Sequence, residues 1–147
     1  MHTRIPILLS IVIAACGGES GTPEEAIRAW IARAEVAAEE KDRGELLDMI
    51  SVSYADGRGN DHAEIGNMLR FYFFRQQSIA LLTKIDRIAV SGDSAAIAEI
   101  TVGMAGSNDN LLGFSADAYR FELELENVDD EWLLIGARWG ELGGELH

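Results

Sequence analysis

The sequence predicts an α+β domain, with N-terminal helices packed on one antiparallel β-meander. Three observations carry this reading. Helix-type apolar spacing and helix caps fill the stretch from Thr22 to about Ser78, and from Leu81 onward apolar and polar residues alternate with the period of strands. The turn signals between strands, Ser91-Gly92-Asp93 and Asp129-Asp130, are too short for crossover helices, so sequential strands run antiparallel. Helices first and strands afterwards is the α+β order. A chain of 147 residues is long enough for one domain with a real core, and it shows no internal repeat.

The elements follow in order. Thr22 caps a first helix, Pro23 suits its first position and Glu25 completes a capping box. Ile27, Trp30, Ile31, Ala34 and Ala38 mark its apolar face as far as about Lys41, and Glu24 and Arg28 pair four residues apart. Gly44 to Ile50 reads as a short second helix carrying Leu46, Leu47 and Ile50. The segment from Ser51 to Asn60 is a loop with its strongest turn signal at Asp56–Asn60. Asp61 caps a third helix, with Glu64 closing a second box. Ile65, Met68, Leu69, Tyr72 and Phe73 mark the buried side of that helix, and Phe71–Phe74 places rings almost all round it, which predicts burial on more than one side. The first strand is expected over Leu81–Val90. In the second, Ala96, Ala98, Ile100, Val102 and Met104 share a face. A longer connection, Gly106–Ser115, leads to the third, where Tyr119, Phe121, Leu123 and Leu125 alternate with Arg120, Glu122, Glu124 and Glu126. Trp132–Trp139 forms the last.

The N-terminus has a different character. Met-His-Thr-Arg precedes an apolar run from Ile5 to Ala15, and then comes Cys16, the single cysteine of the chain. A basic start, a short apolar run and a small-residue end are the parts of a secretory signal. The run is far shorter than the ~20 residues a bilayer-spanning helix needs. Ile13-Ala14-Ala15-Cys16 resembles the lipobox of bacterial lipoproteins. The resemblance implies a signal peptide over residues 1–15, cleavage before Cys16, and diacylglycerol and a further acyl chain such as palmitate on that cysteine. Two or more chains anchor a protein stably. Residues 16–21 then form a lipidated tether and residues 22–147 a single domain. With no aspartate after Cys16, the likeness points to the cell envelope, at the outer membrane facing the periplasm if the host is Gram-negative.

Composition excludes several roles. There are 12 basic and 25 acidic residues, a net charge of −13, and loss of Arg4 with the signal makes the remainder more negative still. A nucleic-acid partner is therefore excluded. An acidic body is repelled by an anionic membrane, so attachment is expected through the lipid and not through a basic patch. One cysteine excludes an internal disulfide framework. Removing residues 1–15 leaves only His62 and His147, with no HExxH, so no metal is expected. Asp56-x-Arg58-x-Asn60 has the step of a calcium loop, but it places a cation at the second ligand position and Asn67 where the terminal glutamate belongs. No G-x-S-x-G and no glycine-rich phosphate loop is present, and no cofactor is implied.

The succession of helix, short helix, loop, aromatic helix and meander, ending Glu131-Trp132-Leu133-Leu134-Ile135-Gly136-Ala137-Arg138-Trp139, resembles the nuclear transport factor 2-like (SnoaL/ketosteroid isomerase-like) superfamily, and among its members small bacterial lipoproteins. Ser53–Asn60, Phe71–Gln77, Gly92–Ala95 and Tyr119–Leu125 support it, and the resemblance spans about Thr22 to Glu141. It implies a cone: a strongly curved sheet wrapped around the helices, enclosing an apolar cavity. Members include isomerases, dehydratases and non-catalytic binding or assembly modules, so fold alone leaves function open. Many dimerise through the outer sheet face. Here Glu122, Glu124 and Glu126 on that face would oppose a homodimer unless compensated.

Within this frame Trp30, Tyr54, Tyr72, Tyr119 and Trp139 are the candidate pocket residues, as apolar walls of which the tyrosines have polar tips. The alternative acid–base reading rests on Asp56, His62 and Glu99, because an apolar cavity raises a carboxylate pKa and so tunes a base. The isomerase tyrosine of the first helix has no match, since Trp30 is the nearest aromatic. The plainer expectations are that Asp56 and His62 are solvated, that Glu99 faces outward, that the Phe71–Phe74 rings pack in the core, and that Arg58 and Arg75 pair with surface carboxylates. The preferred function is a non-catalytic envelope module binding a small apolar or amphipathic ligand, or an envelope protein. An isomerase- or dehydratase-type enzyme and a closed interaction module are the alternatives.

Overall fold

The computed structural model describes residues 21–107 and 114–147. The expected signal, lipobox and most of the tether lie outside them, as does the middle of the Gly106–Ser115 connection. Three helices, α1 (Pro23–Glu39), α2 (Arg43–Asp48) and α3 (His62–Arg75), precede four strands, β1 (Ser78–Ser91), β2 (Ala95–Ser107), β3 (Phe114–Val128) and β4 (Glu131–Glu141). The strands form one antiparallel sheet in the order β1-β2-β3-β4. Both capping boxes form: Thr22 with Glu25 on α1, and Asp61 with Glu64 on α3. Asp129 and Asp130 both take left-handed φ, 52° and 65°, the conformation of a tight two-residue hairpin turn.

Curvature comes from the edge strands. β1 slips register between Ile85 and Arg87, and the β3–β4 pairing slips between Glu124 and Leu125. Each bulge bends its strand and shifts the inward phase by one residue. Ile79, Leu81, Ile85, Ile88 and Val90 of β1 therefore line the concave side with Ala98, Ile100 and Val102 of β2, Leu123 and Leu125 of β3, and Trp132 and Leu134 of β4. Ile27, Trp30 and Ile31 of α1 fill the concavity from the other side. The small Ala96, Ala98 and Ala137 let the helix approach the sheet.

Both sheet edges are partly covered. On β1, Glu35 and Glu39 of α1 accept the backbone N–H groups of Thr83 (3.1 Å) and Leu81 (2.8 Å). On β4, the chain after α2 runs alongside: Leu134 N donates to Met49 O, Ser51 N to Leu134 O and Ala55 N to Ile135 O. Beyond β4 the C-terminal residues fold back, and Trp139 and His147 exchange backbone hydrogen bonds. A Cβ on Gly140 would lie 2.2 Å from Glu145 O, so only glycine allows that return.

Several expectations need correction. α2 ends at Asp48, and the residue it delivers to the core is Met49, 1% exposed, ahead of Leu46, Leu47 or Ile50. α3 is not buried on several sides. Phe71, Phe74 and Met68 are exposed, because α3 rests on its neighbours through Ile65, Gly66, Leu69, Tyr72 and Phe73 only. At the α2–α3 crossing Gly66 packs closely under the side chains of Arg43 and Leu47, where a Cβ would lie 2.9 Å from Arg43 Nη2 and 3.3 Å from Leu47. Arg58 and Arg75 lie over the rings of Trp139 (4.5 Å) and Phe71 (5.3 Å), and among the described residues neither pairs with a carboxylate.

The convex face carries the alternate residues. Arg87, Glu99, Glu122 and Arg138 occupy one row across all four strands. Arg87 pairs with Glu99 at 2.6 Å, and Arg138 pairs with Glu122. The two glutamates that face each other are thus each neutralised within the same chain, which answers the like-charge objection to a dimer for that row.

Candidate functional site

The five candidate pocket residues divide into two groups. Trp30 and Tyr54 belong to the closed core. Trp30 Nε1 is buried without a hydrogen-bond partner among the described residues. Tyr72, Tyr119 and Trp139 are half-buried, and Trp139 packs against the edge of that core. Tyr119 and Phe121 alternate on the concave side of β3, with ring centroids 6.4 Å apart. Phe121 is the register partner of Trp139 on β4, and the two rings stack at 6.5 Å with 24° between planes. The Arg58 guanidinium lies over the Trp139 ring, 4.5 Å from its centroid, and donates to Trp139 O at 2.9 Å. These contacts make a row of rings that starts at Tyr119 and ends under a cation.

Tyr72 of α3 is half-buried, and its pKa is raised first by burial and then by the charges of Asp117 and Tyr119. Asp117 is two residues before Tyr119 and shares its phase. The row therefore ends under a guanidinium at Trp139, and the exposed Asp117 precedes it on β3 at the Tyr119 end. Asp117 and Phe121 were missed as site residues, although continuing the β3 alternation by two residues in each direction would have named both.

Asp56 holds the loop that carries Arg58. Its carboxylate accepts from Tyr54 Oη (3.1 Å), Arg58 N (2.9 Å), Asn60 N (2.9 Å) and Asn60 Nδ2 (2.9 Å). Burial alone would raise its pKa, but the bonds from Asn60, Tyr54 and Arg58 together outweigh that and hold it below the ordinary carboxylate value. Tyr54 is 3% exposed, and its hydroxyl is pushed well above the ordinary value, first by burial and then by the bond to Asp56. Asp56 is thus the hub of the loop, not a freely solvated residue. With its lone pairs occupied it is poorly placed to take a proton.

The other acid–base candidates stand elsewhere. His62, in the first turn of α3, is half-buried, and its Nε2 lies 3.2 Å from Leu47 O. Because a carbonyl only accepts, Nε2 carries the proton, and the ring ties α3 to α2. Glu99 is on the convex face, opposite in phase to Ala98 and Ile100. Its pKa is lowered, first by the bond from Arg87. The structure does not bring Asp56, His62 and Glu99 together. Among the described residues no cluster of three His, Cys, Asp or Glu side chains could hold a metal ion.

A curved antiparallel meander closed by α1 and α3 over an apolar concavity is the nuclear transport factor 2-like fold, and the chain adopts it. The solved structures it resembles include a nuclear transport factor 2-like protein from Salmonella enterica (TM-score 0.69, 17% identity, 81% of this chain and 90% of that one). A scytalone dehydratase-like protein from Novosphingobium aromaticivorans gives a TM-score of 0.74 at 10% identity, over 80% and 83% of the two chains. A ketosteroid isomerase-like protein from Erwinia carotovora gives 0.66 at 10%, over 80% and 95%. At these identities the likeness is one of fold. No protein-family model and no curated sequence matches the chain.

Proposed function

We propose that this chain is a lipid-anchored envelope module whose concave side binds a small amphipathic ligand. The observation that carries the reading is the half-buried row Tyr119–Phe121–Trp139, its first pair tilted and its second stacked, with Arg58 over Trp139 and Asp117 two residues before Tyr119. Rings supply apolar area with little entropy to lose, and the charged ends orient a ligand that is apolar in its middle and polar at its ends. A catalytic reading from Asp56, His62 or Glu99 is less well supported, because each is engaged in holding structure. An enzyme of isomerase or dehydratase type remains the second reading, favoured by the fold neighbours. The anchor rests on Ile13-Ala14-Ala15-Cys16.

Native mass spectrometry of the chain, purified gently from a bacterial envelope, tests the ligand. The expected result is a stoichiometric adduct that denaturation releases and that Trp139→Ala and Tyr119→Ala each lose. A bare mass for the wild-type chain moves the assignment to a closed interaction module. Cys16→Ser is expected to stall processing or free the protein from membranes, and unchanged fractionation removes the anchor.

A further inference from the structure

The outward stripe of α3 has no role in the ligand row. Asn67, Arg70, Phe71, Phe74 and Arg75 recur at spacings of three and four and so share one helix face. Phe71 is 63% exposed and Phe74 89%. A shallow hollow of about 590 Å³ lies among Asn67, Arg70, Phe71 and Phe74. The charges here are unusual for this chain. Although acids outnumber bases two to one, no Asp or Glu occurs between Glu64 and Asp86. Arg28, Arg33, Arg87 and Arg138 each have a carboxylate partner. Arg70 and Arg75, like Arg43, Arg58 and Arg120, have none among the described residues; Arg43 and Arg58 bond backbone carbonyls, whereas Arg75 lies over the exposed Phe71.

We infer that this stripe docks on the surface of an anionic phospholipid bilayer. Exposed rings beside guanidinium groups on one helix face match a membrane interface. There the rings sit at the boundary of headgroups and acyl chains, and arginines meet phosphates in bidentate pairs. The overall negative charge does not forbid the approach. At physiological salt, charges beyond about 8 Å are screened, so the face presented decides the sign. A second copy of the chain is disfavoured as occupant, because its own α3 would bring Arg70 and Arg75 against their like. The stripe adds a contact to any made by the N-terminus. α1, about 25 Å long at 1.5 Å per residue, separates Gly21 from the Lys41 junction where Lys41 Nζ bonds Gln76 O at 2.9 Å, just past the end of α3. Two contacts so far apart would lay the domain on its side. The inference stands apart from the ligand reading.

The full-length chain is mixed with vesicles of phosphatidylglycerol and phosphatidylcholine whose acyl chains are brominated. Phe74→Trp reports on the stripe, and Leu142→Trp, next to Glu122 and Asp86 on the convex face, is the control. Both positions are exposed, so the fold is kept, and circular dichroism verifies it. The expected result is bromine quenching of the Phe74→Trp emission and not of the Leu142→Trp emission. Adding Arg70→Gln and Arg75→Gln should raise the lipid needed for half-quenching by about tenfold or more. Equal quenching at both positions in vesicle-bound protein overturns the proposal. So does a blue shift of Phe74→Trp that follows protein concentration without lipid, which would assign the stripe to a second copy.

Discussion

Removing the Asp56 carboxylate should loosen the loop that carries Arg58 and destabilise the whole domain. In Asp56→Ala the hydroxyl of Tyr54, a residue 3% exposed, loses its acceptor, and an orphan of this kind costs about 1–3 kcal/mol. Asn60 N is half-buried and loses its bond as well, adding about 0.5–1 kcal/mol, whereas water replaces the bond to the exposed Arg58 N. The expected total is about 2–4 kcal/mol, a large share of the stability of an ordinary domain. Tyr54→Phe removes the orphan in advance and should cost only about 1 kcal/mol. The double variant should therefore be at least about 1 kcal/mol more stable than the sum of the singles implies. Urea unfolding followed by far-ultraviolet circular dichroism measures all four proteins, with an unchanged slope showing that the denatured state is the same. The Asp56 pKa is depressed on folding, so its contribution is complete above the unfolded carboxylate value near 4 and disappears as pH falls through the lower folded value. Asp56→Ala should accordingly narrow the gap to wild type in acid. A loss below about 0.5 kcal/mol, or strict additivity with Tyr54→Phe, would refute the hub.

Three further outcomes are expected. Gly140→Ala brings a Cβ against Glu145 O, so the C-terminal residues should detach; the cost is about 1–2 kcal/mol, and hydrogen exchange should quicken at His147 N. Asp130→Gly relieves a left-handed backbone at the β3–β4 turn and should raise the unfolding midpoint, a gain of about 0.5–1 kcal/mol. Glu39→Ala uncovers Leu81 N on the β1 edge, and exchange of that amide should accelerate while the amides shared by β2 and β3 stay protected.

Much of the fold was legible along the chain because its signals are local. The capping boxes at Thr22 and Asp61, the alternation through Tyr119–Leu125 and the turn at Asp129-Asp130 each depend on a few neighbouring residues, and each formed as expected. Their order already specified helices followed by an antiparallel meander. The acid excess and the unusual N-terminal segment are likewise properties of sequence alone.

Tertiary structure decided which side of each element had a neighbour. The rings of Phe71–Phe74 carry helical spacing, but spacing does not say how many partners surround a helix, and α3 proved to have them on one side only. Arg58 and Trp139 are far apart in sequence, so no local pattern could pair them; the bulges that curve the sheet and the return of the chain along β4 bring the loop over the ring. Glu35 and Glu39 read as surface acids until the edge of β1 supplies them with backbone donors. Local order needs only short-range sterics and hydrogen bonds, whereas a site needs the register and curvature that come from closing the whole sheet around its core.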